Sequence, residues 1–351
     1  MSSAVEPRVV TDDVAAPGVA GLPGARGTAG ASAPLVPGDA SDARAVMAQH
    51  ARSFTLAARL LPAASRDDAA RIYTFCRYVD DLADEAPDPD VARRDLSLVR
   101  EALAGNARPD RPTAAWLEVA DRRGIPTHAA LDLVDGILSD LDPVCVADDA
   151  ELVRYGYHVA GTVGLMMCGV LGVRDPHAWR HAIDLGVAMQ ITNICRDVKE
   201  DAARGRVYLP STRLEAAGTS ARELLEGGAP APAVAQVVRE LLELADRYYR
   251  SADDGMSAIP LRSRAAIVVA SRVYRAIGVR LLRRHGGDPL HGRTVVPTPA
   301  RLAWLLAGLG ALTRPRMWRP APGYRHDAAL HAPLARLLGD DTRVTALLPQ
   351  P

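Results

Sequence analysis

Lysine is almost missing from this chain. Of its 42 basic residues only Lys199 is a lysine, so nearly every positive charge is a guanidinium. A GC-rich coding sequence explains most of that bias, and the abundance of Ala, Gly and Pro fits it. The functional reading is that some arginines grip phosphates as planar forks. Net charge is missing too, since 42 acidic residues balance the 42 basic ones. That balance excludes a polyelectrolyte binder of nucleic acid, which carries a basic excess. Aromatics amount to only 4%, which excludes base-stacking platforms. The four cysteines are widely spaced, with no C-x-x-C pair and no Cys/His cluster of zinc spacing. Three of them sit in apolar helical patterns as small hydrophobes, which suits a reduced, cytoplasmic chain. No basic region followed by an apolar run opens the sequence, so no secretory signal is expected. The longest nearly apolar stretch, Val159 to Val173, is too short and too glycine-rich to span a bilayer. Strand alternation, hairpin signals and repeats of fixed period are absent as well.

What remains is a core-forming composition, 48% hydrophobic and 24% charged. Residues 1–40, rich in Ala, Gly, Pro and Ser without apolar period, read as a disordered leader. From Asp42, a plausible N-cap, helical patterns follow one another. Their spacing predicts helices over 43–61, 66–86, 90–105, 112–123, 127–141, 148–171, 176–201, 232–252, 261–285 and 299–313. Prolines 62, 87, 126, 143, 176, 210 and 260 fall at or just beyond these ends, where they are tolerated. Residues 314–351, rich in Pro and Arg, read as a loosely packed tail. The expected architecture is therefore all-α, a single helical domain over 41–313.

Two polar stripes interrupt apolar helices. At about 100° per residue, Tyr73, Arg77, Asp80 and Asp84 form one longitudinal row flanked by Ile72, Phe75, Cys76, Val79 and Ala83. Carboxylates at i and i+4 reach a common hard cation, and Mg²⁺ is often held by one or two carboxylates plus substrate phosphates. A merely solvated acidic face is a poorer account, because negative charge at a helix C-terminus opposes the dipole and Asp is a weak helix former. The second row is Gln190, Asn193, Asp197 and Asp201, with Ala188, Ile191, Ile194, Cys195 and Val198 around it. Amide and carboxylate oxygens are the ligand set that Mg²⁺ accepts. Two such walls facing across a cavity would suit a substrate whose diphosphate leaves with its charge neutralised. A third segment, Tyr155 to Met167, carries small residues at Ala160, Gly161 and Gly164. Mid-helix glycine costs roughly 1 kcal/mol relative to Ala. Close helix approach and room for a bulky ligand chain, with Met166 and Met167 as adaptable wall, are both open readings.

Four stretches carry a family resemblance. They are His50-Ala-Arg-Ser-Phe-Thr-Leu-Ala-Ala-Arg-Leu-Leu-Pro62, Tyr73-Thr-Phe-Cys-Arg-Tyr-Val-Asp-Asp-Leu-Ala-Asp-Glu85, Tyr155 to Met167, and Gln190 to Pro210 with its Arg204-Gly-Arg-Val-Tyr-Leu-Pro210 segment. In that order they resemble the squalene/phytoene synthase family of head-to-head prenyl transferases, over about residues 43 to 313. The resemblance implies the isoprenoid synthase fold, with helices around a central cavity. It implies that two geranylgeranyl diphosphates condense through prephytoene diphosphate to phytoene, releasing both diphosphates. It places Mg²⁺, or Mn²⁺ in its stead, on Asp80, Asp84, Asn193, Asp197 and Asp201, with Gln190 on the same wall. Arg52, Ser53 and Arg77 match diphosphate contacts, and Tyr155 matches a tyrosine near the ionising allylic centre. Tyr274 and Arg293 resemble a late pair of substrate contacts. NADPH is not expected, since phytoene formation ends by proton loss. The apolar product implies peripheral contact with the inner face of the membrane and a downstream carotenoid desaturase as partner.

Three rivals remain at this point. Farnesyl diphosphate as substrate would give presqualene diphosphate, squalene or dehydrosqualene by the same chemistry. A class I terpene cyclase would carry Ser or Thr, then Glu, where Asp197 and Asp201 stand. A non-enzymatic interaction protein of the same fold would be expected to have eroded acidic motifs, and both are intact here.

Overall fold

The computed structural model describes residues 58–292 and 326–338, together with residues 310, 317 and 318. The expected leader and the helices over 43–61 and 299–313 therefore lie outside the described residues, except at 58–61 and 310. Within them the chain is helical: α1 (Ala63–Asp84), α2 (Pro89–Leu103), α3 (Arg111–Arg123), α4 (Thr127–Ser139) and α5 (Asp149–Gly156). A π turn (Tyr157–Gly161) joins α5 to α6 (Thr162–Leu171), and α7 (Pro176–Ala203) follows. Then come α8 (Ser211–Ala216), α9 (Ala221–Leu225), α10 (Ala231–Gly255), α11 (Leu261–His285), α12 (Ala328–His331) and α13 (Ala335–Leu338).

Local chemistry sets these ends. Asp88, Asp110, Asp148 and Asp175 cap α2, α3, α5 and α7 by accepting from first-turn amides. Proline fills the N1 or N2 place in α2, α3 and α7, where its missing N–H costs nothing. Pro62, Pro126, Pro210 and Pro260 stand at the N-cap itself. The sequence reading missed the short helices α8 and α9. It also ran 148–171 as one helix, where five residues of π turn intervene.

The 28-residue α7 is the central post, packed against α5, the π turn, α6, α10 and α11. It is buried on most of its surface, so its apolar residues surround it instead of forming a single stripe. Two glycines let its neighbours close in. A Cβ on Gly186 would stand 2.3 Å from the carbonyl oxygen of Ala160, and one on Gly164 2.2 Å from that of Ala182. The small residues of the third segment are thus spent on close helix approach.

The C-terminal segment differs from the loose tail expected over 314–351. Across residues 326–338 it forms two short helices whose Leu330, Leu334 and Leu338 are buried. Leucines four residues apart make an apolar stripe, which the surrounding Pro and Arg obscured in the sequence. Tyr248 on α10 donates to the Leu330 carbonyl at 2.8 Å.

Candidate active site

Helices α1, α6, α7, α10 and α11 and the π turn enclose a cavity of about 1530 Å³, its open mouth included. Most of its wall is apolar, with Ile72, Val163, Met167, Leu185, Met189 and Ile267 among the lining side chains. Met167 faces the cavity, whereas Met166 is fully buried elsewhere in the core. Gly164 also lines the wall, so the third segment serves both readings, close packing and room for a ligand. The polar lining comes from the two stripes, Tyr73, Arg77 and Asp80 on α1 and Gln190 and Asn193 on α7, and from His181 nearer the start of α7. The two helices, whose stripes are separated by about a hundred residues of sequence, do face one space.

Charge in this mouth is poorly compensated. Asp80 is 5% exposed, and burial, reinforced by Asp84, holds its carboxyl well above the usual range. Its Oδ2 is buried with no hydrogen-bond donor, the nearest cation being the Arg77 guanidinium at 3.9 Å. Arg77 pairs instead with Asp81, one turn along the helix. Asn193 Oδ1 and Gln190 Nε2 are likewise buried without a hydrogen-bond partner. The two amides only graze each other, Asn193 Nδ2 lying 3.5 Å from Gln190 Oε1. Asp197 is gripped by both arms of the buried Arg196 guanidinium, with Nε to Oδ1 at 2.7 Å. Asp201 is pushed up to about 8, by burial first and by Asp197 next. The two stripe oxygens without a donor, Asp80 Oδ2 and Asn193 Oδ1, are of the hard type that a hard cation accepts.

Three residues join the site that the sequence reading did not single out. Arg206 pairs with Asp84 at 3.5 Å, and its charge lowers both Asp140 and Asp201. It therefore stands between the two acidic walls. Backbone pairing holds its segment there: Val207 N–H donates to Val144 O at 3.0 Å and Val146 N–H to Val207 O at 3.2 Å. Asp140, raised to about 6 mainly by burial, accepts from the Tyr155 hydroxyl at 2.9 Å. Arg196 is the third. It lay inside the quoted Gln190–Asp201 segment but off the stripe, and Arg206 lay inside the quoted Arg204–Pro210 segment.

The remaining expected residues are placed as follows. Tyr155 is buried, stacked on Tyr208 at 4.7 Å, and is not among the cavity-lining residues. Tyr274 is buried on α11, whose Ala266, Ile267 and Ala270 line the cavity, and it influences Arg196 electrostatically. Arg52, Ser53 and Arg293 lie outside the described residues. Of the described residues, no helix is long and apolar enough to cross a membrane.

Known proteins resemble this chain in sequence and in fold. A 15-cis-phytoene synthase from Paracoccus sp. (strain N81106 / MBIC 01143) is 37% identical over 285 residues, spanning 78% of this chain and 91% of that protein. The 15-cis-phytoene synthase of Pantoea ananas is 36% identical over 80% of this chain and 94% of its own. Among solved structures, a dehydrosqualene synthase in complex with ligand superposes with a TM-score of 0.71 at 26% identity, over 78% of this chain and 96% of that one. The fold is thus the isoprenoid synthase fold. The squalene/phytoene synthase family model matches residues 47–301, a stretch that holds both acidic stripes and every wall of the cavity, and the chain belongs to that family.

Proposed function

We propose that this protein is a phytoene synthase, a prenyltransferase that condenses two geranylgeranyl diphosphates head-to-head through prephytoene diphosphate to phytoene, releasing two diphosphates. One observation carries the reading: an apolar cavity with a mouth of buried, under-compensated oxygens, in a chain 37% identical to a 15-cis-phytoene synthase over 78% of its length.

The residues at the mouth fit Mg²⁺. Asp80, Asp84, Asn193, Asp197 and Asp201 supply hard oxygen donors, and Asp80 Oδ2 and Asn193 Oδ1 lack any other partner. When bound, Mg²⁺ offsets the charge that builds on the departing diphosphate. The protein's own groups do the rest. Arg77 and Arg206 bring guanidinium donors to the rim, where diphosphate oxygens would sit, and Gln190 Nε2 offers a further N–H. Arg52, Ser53 and Arg293 extend that set in our reading. The apolar wall from Val163 to Met189 keeps water from the allylic cation. Tyr155 holds Asp140 by a hydrogen bond and Tyr274 acts electrostatically on Arg196, so we assign both to positioning of the mouth.

The product is a long hydrocarbon, and we read weak peripheral association with the inner face of the membrane, where a carotenoid desaturase would receive it. Complete recovery from liposome flotation in the lipid-free fraction would count against that. The test of the activity is incubation with labelled geranylgeranyl or farnesyl diphosphate and Mg²⁺, without NADPH. Phytoene is the expected product, and exclusive formation of C30 hydrocarbon would overturn the assignment.

A further inference from the structure

A second polar cluster lies at the other end of α7, next to the deep part of the cavity. Asp184 has 0% exposure. Its Oδ1 accepts from His331 Nε2 at 2.8 Å, and its Oδ2 from His326 Nε2 at 2.8 Å and from the Ser251 hydroxyl on α10. His181, one turn before Asp184, places Nδ1 2.9 Å from Ser251 Oγ and 3.7 Å from Asp184 Oδ2. The rings crowd together, with centroids 4.2 Å apart for His326 and His331 and 5.0 Å for His181 and His326. Three of the nine histidines in the chain thus converge on one carboxylate, from two segments some 140 residues apart.

Two features of this cluster point beyond a hydrogen-bonded clasp. The first is charge. Among the described residues no guanidinium pairs with Asp184, whose partners are imidazoles and a hydroxyl. Buried carboxylates are otherwise paired with a cation or bind metal. The second is geometry. Ligating atoms of His181, Asp184 and His326 all lie within 4.8 Å of one another. Tetrahedral coordination at about 2.0–2.1 Å sets ligand atoms about 3.3 Å apart, inside the 2.8 to 3.7 Å spread seen here. Imidazole nitrogens with one carboxylate select Zn²⁺ and its neighbours and not Mg²⁺.

We propose that His181, Asp184 and His326 form a three-residue site for a divalent transition metal of the Zn²⁺ class, its fourth position left to solvent, while His331 holds the other carboxylate oxygen of Asp184. The metal pins the 326–338 segment onto α7 and α10 behind the cavity wall. A metal-bound His326 coordinates through Nε2 and carries its ring proton on Nδ1, while His331 keeps its hydrogen bond to Asp184 Oδ1. The site shares no residue with the two acidic stripes, and its failure would leave the proposed activity untouched.

Co²⁺ titration of the tag-free full-length chain, with excess Mg²⁺ present to occupy the acidic mouth, tests this. Expected are the intense visible bands of tetrahedral Co²⁺, saturating at one equivalent and displaced by Zn²⁺, with a thermal midpoint several degrees higher. His326→Gln keeps a donor for Asp184, so a metal-free clasp would survive it, but it should lose the bands and at least tenfold in Co²⁺ affinity. Absence of tetrahedral bands in the wild-type chain would overturn the site. So would bands that persist unchanged in both His326→Gln and Asp184→Asn.

Discussion

Two buried polar clusters share one helix and are built on opposite rules. Toward the C-terminal half of α7, Asn193 shares the cavity mouth with Asp80, and one oxygen of each lacks a hydrogen-bond partner. Burial and mutual repulsion there raise Asp80 and Asp201. Toward the N-terminal half, one carboxylate is ringed by donors. Burial alone would raise Asp184, yet the hydrogen bonds from His326 and His331 outweigh it and hold the group down to about 2. The first cluster is open to a cavity and is completed only by something that enters. The second touches the cavity only through His181 and knits three segments of chain together. An under-donated carboxylate facing a cavity marks a functional site, whereas an over-donated one inside the core marks a joint.

Substitutions separate the two. Asp80→Asn keeps the shape of the mouth but removes a hard ligand. It should lower kcat/KM by at least about 10²-fold, roughly 3 kcal/mol of transition-state stabilisation, while the protein stays folded. Activity within a few-fold of wild type would break the comparison at its catalytic end. Asp184→Ala strands donors from two imidazoles and a hydroxyl, and should cost about 2–3 kcal/mol of stability. Asp201→Asn should act the other way without Mg²⁺, adding about 1 kcal/mol, because it removes a carboxyl that must take up a proton on folding. Urea midpoints at unchanged slope measure both, and equal signs for the two variants would contradict the contrast.

The smallest effect is the pH response. Asp201 keeps its proton up to about pH 8 when folded, against 3.8 when unfolded. Between those values the folded chain binds more protons, so its contribution to stability falls as pH rises from about 5 to 8 without Mg²⁺. Mg²⁺ competes with that proton and should stabilise the chain more at pH 8 than at pH 5. Asp184 runs oppositely: its contribution is present above 3.8 and is lost as pH falls toward 2. Thermal melts with and without Mg²⁺ across this range read both slopes, and an Mg²⁺ shift independent of pH would disprove the first.

The catalytic mouth was legible because each wall lies on a single helix, where spacing of three, four and seven residues survives as a pattern in sequence. Arg77, Asp80, Gln190 and Asn193 could be aligned that way, and they do line one cavity. Arg206 could not. Its place depends on the backbone pairing of residues 144–147 with 207–212, which no periodicity encodes. The histidine cluster was illegible for the same reason. Zinc patterns are recognised by short spacing, and His326 stands 142 residues from Asp184. Helices were found where they are long, and α8, α9 and the 326–338 helices, four to six residues each or buried in Pro-rich context, were not. The glycine-rich segment was ambiguous because Gly164 both abuts Ala182 and faces the cavity.

The π turn at Tyr157–Gly161 acts as a phase-setter for the cavity wall. A π turn carries one residue more than an α turn would, so it rotates everything after it by about 100°. That offset is what turns Met167 toward the substrate space and leaves Met166 in the core. Winding the same residues as plain α-helix would rotate Met167 off the wall, whereas deleting one residue within the turn would remove the bulge and leave Met167 facing the cavity. The composition of the cavity lining along α6 is thus held by one extra peptide unit, several residues upstream of any side chain it selects.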